Sequence, residues 1–435
     1  MLEKIAFFPF ITLIRNKSVQ NFIFLAIIQA SNVLISLITM PLLITSLGVD
    51  QFGLVNLALS VMVLANIFVS FGFNLSSPRD VAINQKNKSA LSSLVSNVFA
   101  GKLFLASVAT IFILISIYGF DLFEEYQTIL VFSLLLLFSE ATMPLWFFQG
   151  MEKMKLISIA NIFSKLLFLM GIVLFIHNPE QAKWVNLLLG GSALSINLLL
   201  LTYIHYEMEV TFYLPEFKKI IHSIKSNTLF FLSILASHIS VSGGLIILSF
   251  FENANILGMF SLAEKIGLVL RMFPALIVQA VYPNASKLYE QDRNAFYIYV
   301  SKVSKWALLI GLLISLSTFL AAPFIIQILS KKILPEAVAF LKILAFVPLL
   351  ACFNIINVIL FLVKNQKNLM FDSSWQMSLY MITASLILTH FYGGIGLSFA
   401  LISTEIVVFL ICVGLNVKHN KQETIMLYQK IFKPK

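Results

Sequence analysis

The sequence predicts an all-α integral membrane protein with about twelve transmembrane helices, arranged as two six-helix lobes around a central cavity. Composition is the first observation behind this prediction: 59% of the 435 residues are hydrophobic and 11% are charged, less than half the charged share of an ordinary soluble domain. The second observation is a set of long apolar runs, and the third is a repeat between the two halves of the chain. Together they exclude a soluble multidomain enzyme.

Twelve continuous apolar runs, each of roughly 20–28 residues, are long enough to cross a bilayer core of about 30 Å. Because apolar and polar residues do not alternate along these runs, they do not fit the strands of a transmembrane barrel. The runs lie at 20–46, 52–73, 91–118, 127–149, 156–176, 184–204, 227–251, 256–283, 305–328, 337–363, 369–390 and 394–416.

The distribution of lysine and arginine predicts the orientation. With a cytoplasmic N-terminus, 24 of the 30 basic residues fall in loops or adjoining helix ends on the cytoplasmic side, and 3 fall on the opposite side. Cytoplasmic loops of membrane proteins are rich in these residues, so both termini are expected in the cytoplasm. This topology accounts for most of the net charge of +10 without a nucleic-acid partner.

Matching residues 205 positions apart indicate an internal repeat. Gly53 and Gly258 stand near the start of similar helices, and Pro78 and Pro283 stand near their far ends. An offset of six helices preserves the membrane orientation, so an axis along the membrane normal is expected to relate the halves, as in two-lobed transporters. The predicted regions are an N-terminal lobe at 1–215, a C-terminal lobe at 216–416 and a basic cytoplasmic tail at 417–435.

Motifs for soluble enzyme chemistry are absent from the sequence. There is no G-x-x-x-x-G-K-[ST] phosphate loop and no H-E-x-x-H zinc motif. Both cysteines, Cys352 and Cys412, lie inside apolar runs, which argues against a disulfide framework or a zinc site. We therefore expect no catalytic residues, no metal and no cofactor.

The eighth apolar run carries three ionisable residues, Glu264, Lys265 and Arg271. A charge at the centre of a membrane helix costs about 2.5–3.5 kcal/mol and tends to face a cavity or a partner. Glu264 and Arg271 are seven positions apart, which places them on one face of a helix, about 10 Å apart along its axis. The guanidinium of Arg271 suits bidentate phosphate binding. A structural salt bridge between Arg271 and Glu264 is the alternative.

Four further ionisable residues fall inside apolar runs, and for each of them structural pairing is as good an explanation as function. They are Glu140, Lys165, Lys342 and Glu405. Burial raises the pKa of a carboxyl group, so Glu140 and Glu405 are candidates for coupling to a proton or sodium gradient. Lys165 follows Asn161 by one helical turn and forms a polar strip with it. Asn32, Asn56 and Asn66 add neutral groups suited to interhelical hydrogen bonds or to sugar hydroxyls.

Four segments, in order, resemble one family. The segment PLLITSLGVDQFG at 41–53 resembles its P-x-x-x-x-x-L-G-x-x-x-F-G pattern, and FGFN at 71–74 with Pro78-Arg79-Asp80 resembles its loop after the second helix. The segment PLWFFQGMEKM at 144–154 resembles its W-F-F-Q-G-x-E-K-M stretch, and GMFSLAEK at 258–265 its G-x-[YF]-x-x-A-E-K segment. The family is that of the Wzx-type O-antigen flippases, polysaccharide transporters of the multidrug/oligosaccharidyl-lipid/polysaccharide exporter superfamily.

The resemblance implies a flippase of the bacterial inner membrane that moves an undecaprenyl-diphosphate-linked oligosaccharide repeat unit to the periplasmic leaflet by alternating access. The implied partners are this glycan lipid, the bilayer, a polysaccharide polymerase and a chain-length regulator. A diphosphate substrate makes the intramembrane cations its expected ligands: Arg271, Lys265, Lys165 and Lys342.

Two other functions stay open from the sequence alone. An ion-coupled exporter of the MATE type has the same two-lobe plan but favours an acidic cavity, whereas the second lobe here carries three deep cations. A membrane-embedded polysaccharide polymerase or polyprenyl-linked glycosyltransferase typically carries a sizeable periplasmic loop, and the external loops here are short.

Overall fold

A computed structural model describes the protein over residues 17–120 and 124–432. Within these two ranges the chain is helical and contains no strand, which confirms the all-α fold class. The N-terminus and the last three residues of the predicted basic tail lie outside the described residues.

The chain divides into two compact units, one extending to Leu235 and one beginning at Ala236. The helices of the first unit are α1 (Lys17–Ser70), α2 (Phe73–Asn84), α3 (Lys88–Phe120), α4 (Gln127–Ser133), α5 (Leu135–Thr142), α6 (Leu145–Gly150), α7 (Met154–Phe175), α8 (Ala182–Tyr206) and α9 (Phe217–Ser226). Helix α10 (Thr228–Ser242) contains the boundary. Two 3₁₀ turns, Glu124–Tyr126 and Pro179–Gln181, precede α4 and α8.

The second unit continues the chain from α10 to the last described residue. Its helices are α11 (Gly244–Leu248), α12 (Ala254–Gln291), α13 (Arg293–Ser330), α14 (Pro335–Leu344), α15 (Val347–Phe353), α16 (Ile355–Val363), α17 (Lys367–His419) and α18 (Lys421–Phe432). The first unit extends past the sequence boundary at 215, and α9 packs against α3 within it. The second unit likewise extends past the predicted boundary at 416, since α18, which belongs to the predicted tail, packs against α13 and α17.

Nine helical stretches in the described part of the chain are long and apolar enough to cross a membrane. Two of them each contain two predicted runs: Phe24–Asn84 leaves helical geometry at Gly48, and Lys367–His419 does so at Gly393. Both glycines have a positive φ, 82° and 55°, which glycine adopts without the steric cost of a side chain. Each of them lies in a loop that the sequence predicts.

Among the described residues, the run predicted at 227–251 is the one that no helical stretch of spanning length and hydropathy covers. It is divided between α10, of 15 residues, and α11, of 5 residues, so neither helix reaches the length of a single span. The division falls at Gly243 and Gly244, and glycine is among the weakest helix formers.

Two of the family-like segments form one packed corner of the first unit. Trp146, Phe147 and Phe148 are buried in its core, and a side chain at Gly150 would place Cβ 2.6 Å from the carbonyl oxygen of Pro78. The backbones of α6 and α2 therefore approach closely because this position is glycine. The W-F-F-Q-G segment thus serves the packing of the unit.

Candidate functional site

In the second unit, Arg271 of α12 forms an ion pair with Glu405 of α17. Arg271 Nη2 lies 2.8 Å from Glu405 Oε1, and the Glu405 side chain is 6% exposed. A structural salt bridge of Arg271 is therefore present, as the alternative predicts, but its partner is Glu405 of a different helix and not Glu264. Helical spacing along α12 gives no information about that second helix.

Glu264, Arg271 and Glu405 line one small pocket together with apolar residues of α12, α14, α15 and α17. Its volume is about 30 Å³, which is room for one or two water molecules and too little for a diphosphate. Lys265 and Lys342 are not among its lining residues. Lys342 Nζ lies 5.4 Å from the centre of the Phe319 ring, at cation–π distance.

In the first unit, Glu140 of α5 accepts hydrogen bonds from three side chains through one carboxylate oxygen. Its Oε1 lies 2.6 Å from Ser70 Oγ, 3.3 Å from Asn74 Nδ2 and 3.3 Å from Lys102 Nζ. Ser70 ends α1 and Asn74 belongs to the first turn of α2. Glu140 therefore joins α3 to both sides of the break between α1 and α2.

Lys102 is a site residue that sequence reasoning missed. The charge distribution counts it with the cytoplasmic helix ends, but its side chain is 0% exposed and pairs with Glu140 inside the first unit. Its burial could have been predicted from its position eleven residues into the apolar run 91–118, which is too deep for the side chain to extend to the membrane surface. A lysine at such a depth faces either a partner or a cavity, and Lys102 has the partner.

A cavity of about 390 Å³ lies within the first unit among α1, α5, α7 and α8. Both Glu140 and Lys165 line it, so the structure brings together these two predicted residues. We call it the first-unit cavity. Its other polar lining residues are Asn32, Asn66, Ser139, Asn161, Ser164 and Asn197.

Lys165 is the uncompensated charge of the first-unit cavity. Among the described residues no carboxylate lies within 4 Å of its ammonium group, whereas Glu140 is neutralised by Lys102. When Lys102, which pairs with Glu140 from outside the lining, is counted with Glu140 and Lys165, the described charges at the cavity have an excess of one positive charge. This arrangement favours an anion.

The amides of the first-unit cavity offer open hydrogen-bonding groups. Asn32 Oδ1 and Asn66 Oδ1 are buried and accept no hydrogen bond within the described part of the chain. Asn161 Oδ1 accepts a hydrogen bond from Ser31 Oγ at 2.9 Å, which joins α7 to α1. Asn56 differs, since it donates to the Phe52 carbonyl of its own helix and does not line the cavity. Free carbonyl oxygens beside a cation suit a polar ligand that carries both hydroxyl groups and negative charge.

Comparison with known proteins gives a family match and two curated relatives. The model of a family described as "Polysaccharide biosynthesis protein" matches residues 18–289. A protein of Escherichia coli (strain K12) named "Putative O-antigen transporter" is 26% identical over 397 residues, which cover 89% of this chain and 94% of that protein. A protein of Shigella dysenteriae with the same name is 25% identical over 403 residues, covering 90% of this chain and 98% of that protein.

Solved structures share the fold over nearly the whole chain. The lipid II flippase MurJ, in an inward closed conformation, gives a TM-score of 0.71 at 15% identity and covers 94% of this chain and 91% of its own. An inward-facing MATE family transporter of the MOP superfamily gives a TM-score of 0.67 at 16% identity, with coverages of 92% and 99%. The fold is thus the one that the sequence predicts.

Proposed function

Because the chain belongs to the polysaccharide biosynthesis protein family, we propose that it is a flippase for a polyprenyl-diphosphate-linked oligosaccharide such as an O-antigen repeat unit. It carries this lipid from the cytoplasmic to the periplasmic leaflet of the bacterial inner membrane by alternating access. The glycan is unchanged by the passage, so the protein is a transporter and not an enzyme. Both curated relatives are named O-antigen transporters and match over nearly their full length, which supports this proposal.

The observation that carries the proposal is the chemistry of the first-unit cavity. A diphosphate joined to sugars cannot cross hydrocarbon without compensation for its charge and its hydroxyl groups. Lys165 supplies a cation that no carboxylate of the described residues pairs with, and Asn32 and Asn66 supply acceptors for sugar hydroxyls. The polyprenyl chain needs no such compensation, because it remains in lipid.

Arg271 is the second proposed phosphate ligand. Its pocket of about 30 Å³ holds no diphosphate in this conformation, so Arg271 has to exchange Glu405 for phosphate when the pocket opens. Lys265 and Lys342 lie outside the lining of that pocket, so the proposal depends chiefly on Lys165 and Arg271.

Glu140 and Glu405 are the proposed coupling residues. Glu140 is paired with Lys102, and Glu405 is paired with Arg271. A proton or sodium ion that bound the carboxylate in place of this partner would break the ion pair and release the two helices that the pair joins. The product enters a polymerisation system, so a polysaccharide polymerase and a chain-length regulator are the proposed partners.

An exporter of organic cations is the main rival, and the charges disfavour it. Such a transporter requires an uncompensated carboxylate in its cavity. In the first-unit cavity the carboxylate of Glu140 is paired and the ammonium of Lys165 is not, which is the opposite polarity.

The experiment replaces Lys165 in a strain whose surface glycan depends on this protein. Lys165→Ala is expected to lower surface glycan about tenfold or more at unchanged membrane abundance, because the phosphate loses a charged partner. Lys165→Arg should retain most export. The matched control is Lys155→Ala, which removes an exposed lysine of the same helix and should have no effect. Normal export by well-expressed Lys165→Ala would refute the role of the first-unit cavity.

A further inference from the structure

A second concentration of positive charge lies in the second unit and has no part in the proposed transport path. A pocket of about 610 Å³ is lined by Arg293, Lys364, Lys418, His419 and Lys421, together with one carboxylate, Glu423. We call it the basic pocket. Its lining shares no residue with the pocket around Arg271.

The basic pocket lies at the ends of three helical stretches that are long and apolar enough to cross a membrane. Arg293 begins α13, Lys364 follows α16 and Lys418 lies in the last turn of α17, while Lys421 begins the short helix α18. The apolar run of α17 ends at residue 416, two positions before Lys418. Because spanning helices leave the hydrocarbon where their apolar runs end, we expect the pocket near the depth of the lipid headgroups.

Glu423 does not neutralise the remaining cations of the basic pocket, because its carboxylate is already bound by other side chains of the protein. Its Oε1 accepts hydrogen bonds from Tyr289 Oη at 2.7 Å and Arg293 Nη1 at 3.3 Å, and its Oε2 lies 2.6 Å from Lys364 Nζ. Burial acts to raise the pKa of this carboxyl, but the hydrogen bonds from Lys364 and Tyr289 and the charges of Lys364 and Arg293 outweigh it and lower the pKa. Glu423 is thus a fixed anion that holds α18 in place.

Lys418 and Lys421 supply the excess charge. Both are exposed, and neither forms an ion pair within the described part of the chain. Arg293 adds to them, since its side chain is 50% exposed although it contacts Glu423. The pocket therefore presents several cations whose charge is not balanced by the protein.

We propose that the basic pocket binds the phosphate group of an anionic lipid in the cytoplasmic leaflet. Clusters of basic residues at the ends of membrane helices attract such headgroups. Met426 belongs to the same lining and is 47% exposed, which suits contact with a lipid chain and does not suit a free phosphate ion. The proposal does not depend on which substrate the protein transports.

Binding is measured on the full chain, purified in detergent, by native mass spectrometry with short-chain phosphatidylglycerol, phosphatidylcholine and inorganic pyrophosphate. The wild type should retain phosphatidylglycerol in preference to phosphatidylcholine. Lys418→Ala with Lys421→Ala should weaken this binding about tenfold or more, since each cation near an anionic surface contributes roughly a factor of five. Lys418→Arg with Lys421→Arg should keep it, which separates loss of charge from loss of fold.

The matched control is Lys287→Ala with Lys302→Ala, which removes two exposed lysines of α12 and α13 outside the pocket lining. This control should bind phosphatidylglycerol within twofold of the wild type. Equal losses in the two alanine pairs would mean a diffuse surface charge and would overturn the proposal. If pyrophosphate bound as tightly as phosphatidylglycerol, and if Lys418→Ala with Lys421→Ala abolished that binding, the ligand would be a soluble phosphate. This result would also overturn the proposal.

Discussion

The guanidinium of Arg271 holds the carboxylate of Glu405 at 2.8 Å, and the Glu405 side chain is nearly inaccessible. Breaking a buried ion pair by removing one partner costs about 3–5 kcal/mol, because the other charge stays buried without compensation. Removing both partners avoids most of this cost. The contribution of Arg271 to folding can therefore be separated from its contribution to phosphate binding.

We expect Arg271→Ala to lower membrane abundance several-fold, and Arg271→Ala combined with Glu405→Gln to restore abundance without restoring export. Arg271→Lys should leave abundance near wild type, since Glu405 keeps a cation, and should lower export about tenfold because the bidentate fork is lost. Membrane abundance and surface glycan are measured in parallel. Normal export by the double variant would assign Arg271 to folding alone.

The pair formed by Glu140 and Lys102 permits a sharper test of stability, because Lys102 is 0% exposed. Among the described residues, Glu140 provides the only carboxylate within 4 Å of the Lys102 ammonium group. Glu140→Gln removes it and should lower the unfolding temperature in detergent by several degrees. Adding Lys102→Met, which removes the buried charge as well, should recover most of the loss.

Ser70→Ala is the matched control for the Glu140 pair. It removes a 2.6 Å hydrogen bond to the same carboxylate oxygen and leaves both charges in place, so a loss of only about 1 kcal/mol is expected. If Glu140→Gln were no more harmful than Ser70→Ala, Lys102 would have another source of compensation.

At this scale the sequence predicted most of the residues that carry charge in the membrane, with Lys102 as the exception, but not how they pair. Spacing of seven along one helix placed Glu264 and Arg271 on one face, and both line one pocket. The partner of Arg271 came from α17, and the partner of Glu140 came from α3. Such pairs depend on how helices pack, which periodicity within one helix does not encode.

At the scale of elements, glycines determine where helices bend and how closely they approach. Gly48 and Gly393 divide two long helical stretches at loops that the sequence predicts. Mean hydropathy does not reveal the break inside 227–251, because Gly243 and Gly244 barely lower it although they interrupt the helix. Residue composition thus predicts the apolar runs, and backbone conformation determines where a run is divided into shorter helices.

Gly150 provides the prediction that belongs to this scale. A Cβ at this position would lie 2.6 Å from the Pro78 carbonyl oxygen and 2.6 Å from Val81 Cβ, so Gly150→Ala should force α6 away from α2. Overpacking of this kind costs about 1–3 kcal/mol, measured as a lower unfolding temperature in detergent.

Gly414→Ala is the matched control for Gly150→Ala. It lies in helix α17, and a Cβ there would meet no atom within 4 Å, so stability should be unchanged or slightly higher because alanine is the better helix former. Equal effects of the two substitutions would show that α6 and α2 can separate at little cost.

At the scale of the whole molecule, the distribution of basic residues has to be corrected for two lysines. Lys102 is buried beside Glu140 and Lys165 lines the first-unit cavity, so neither reports on a membrane surface. Setting them aside leaves 22 basic residues on the predicted cytoplasmic side against 3 on the other. This bias still favours the same orientation, so the proposed topology keeps both termini in the cytoplasm.

Single cysteines test this topology without removal of the native ones, because Cys352 and Cys412 are both buried. Glu125→Cys and Gln422→Cys introduce thiols at exposed positions, the first before α4 and the second in α18. A membrane-impermeant maleimide added to intact cells should label Glu125→Cys, whose loop is predicted to be periplasmic. It should label Gln422→Cys only after the membrane is opened. The wild-type protein reports the background from the native thiols, and each variant labelled in detergent reports the maximum. Nine of the twelve predicted runs lie between these two positions, so the predicted topology places them on opposite sides of the membrane. Labelling of both positions from the same side would contradict that topology and the orientation that the lysine-rich loops favour.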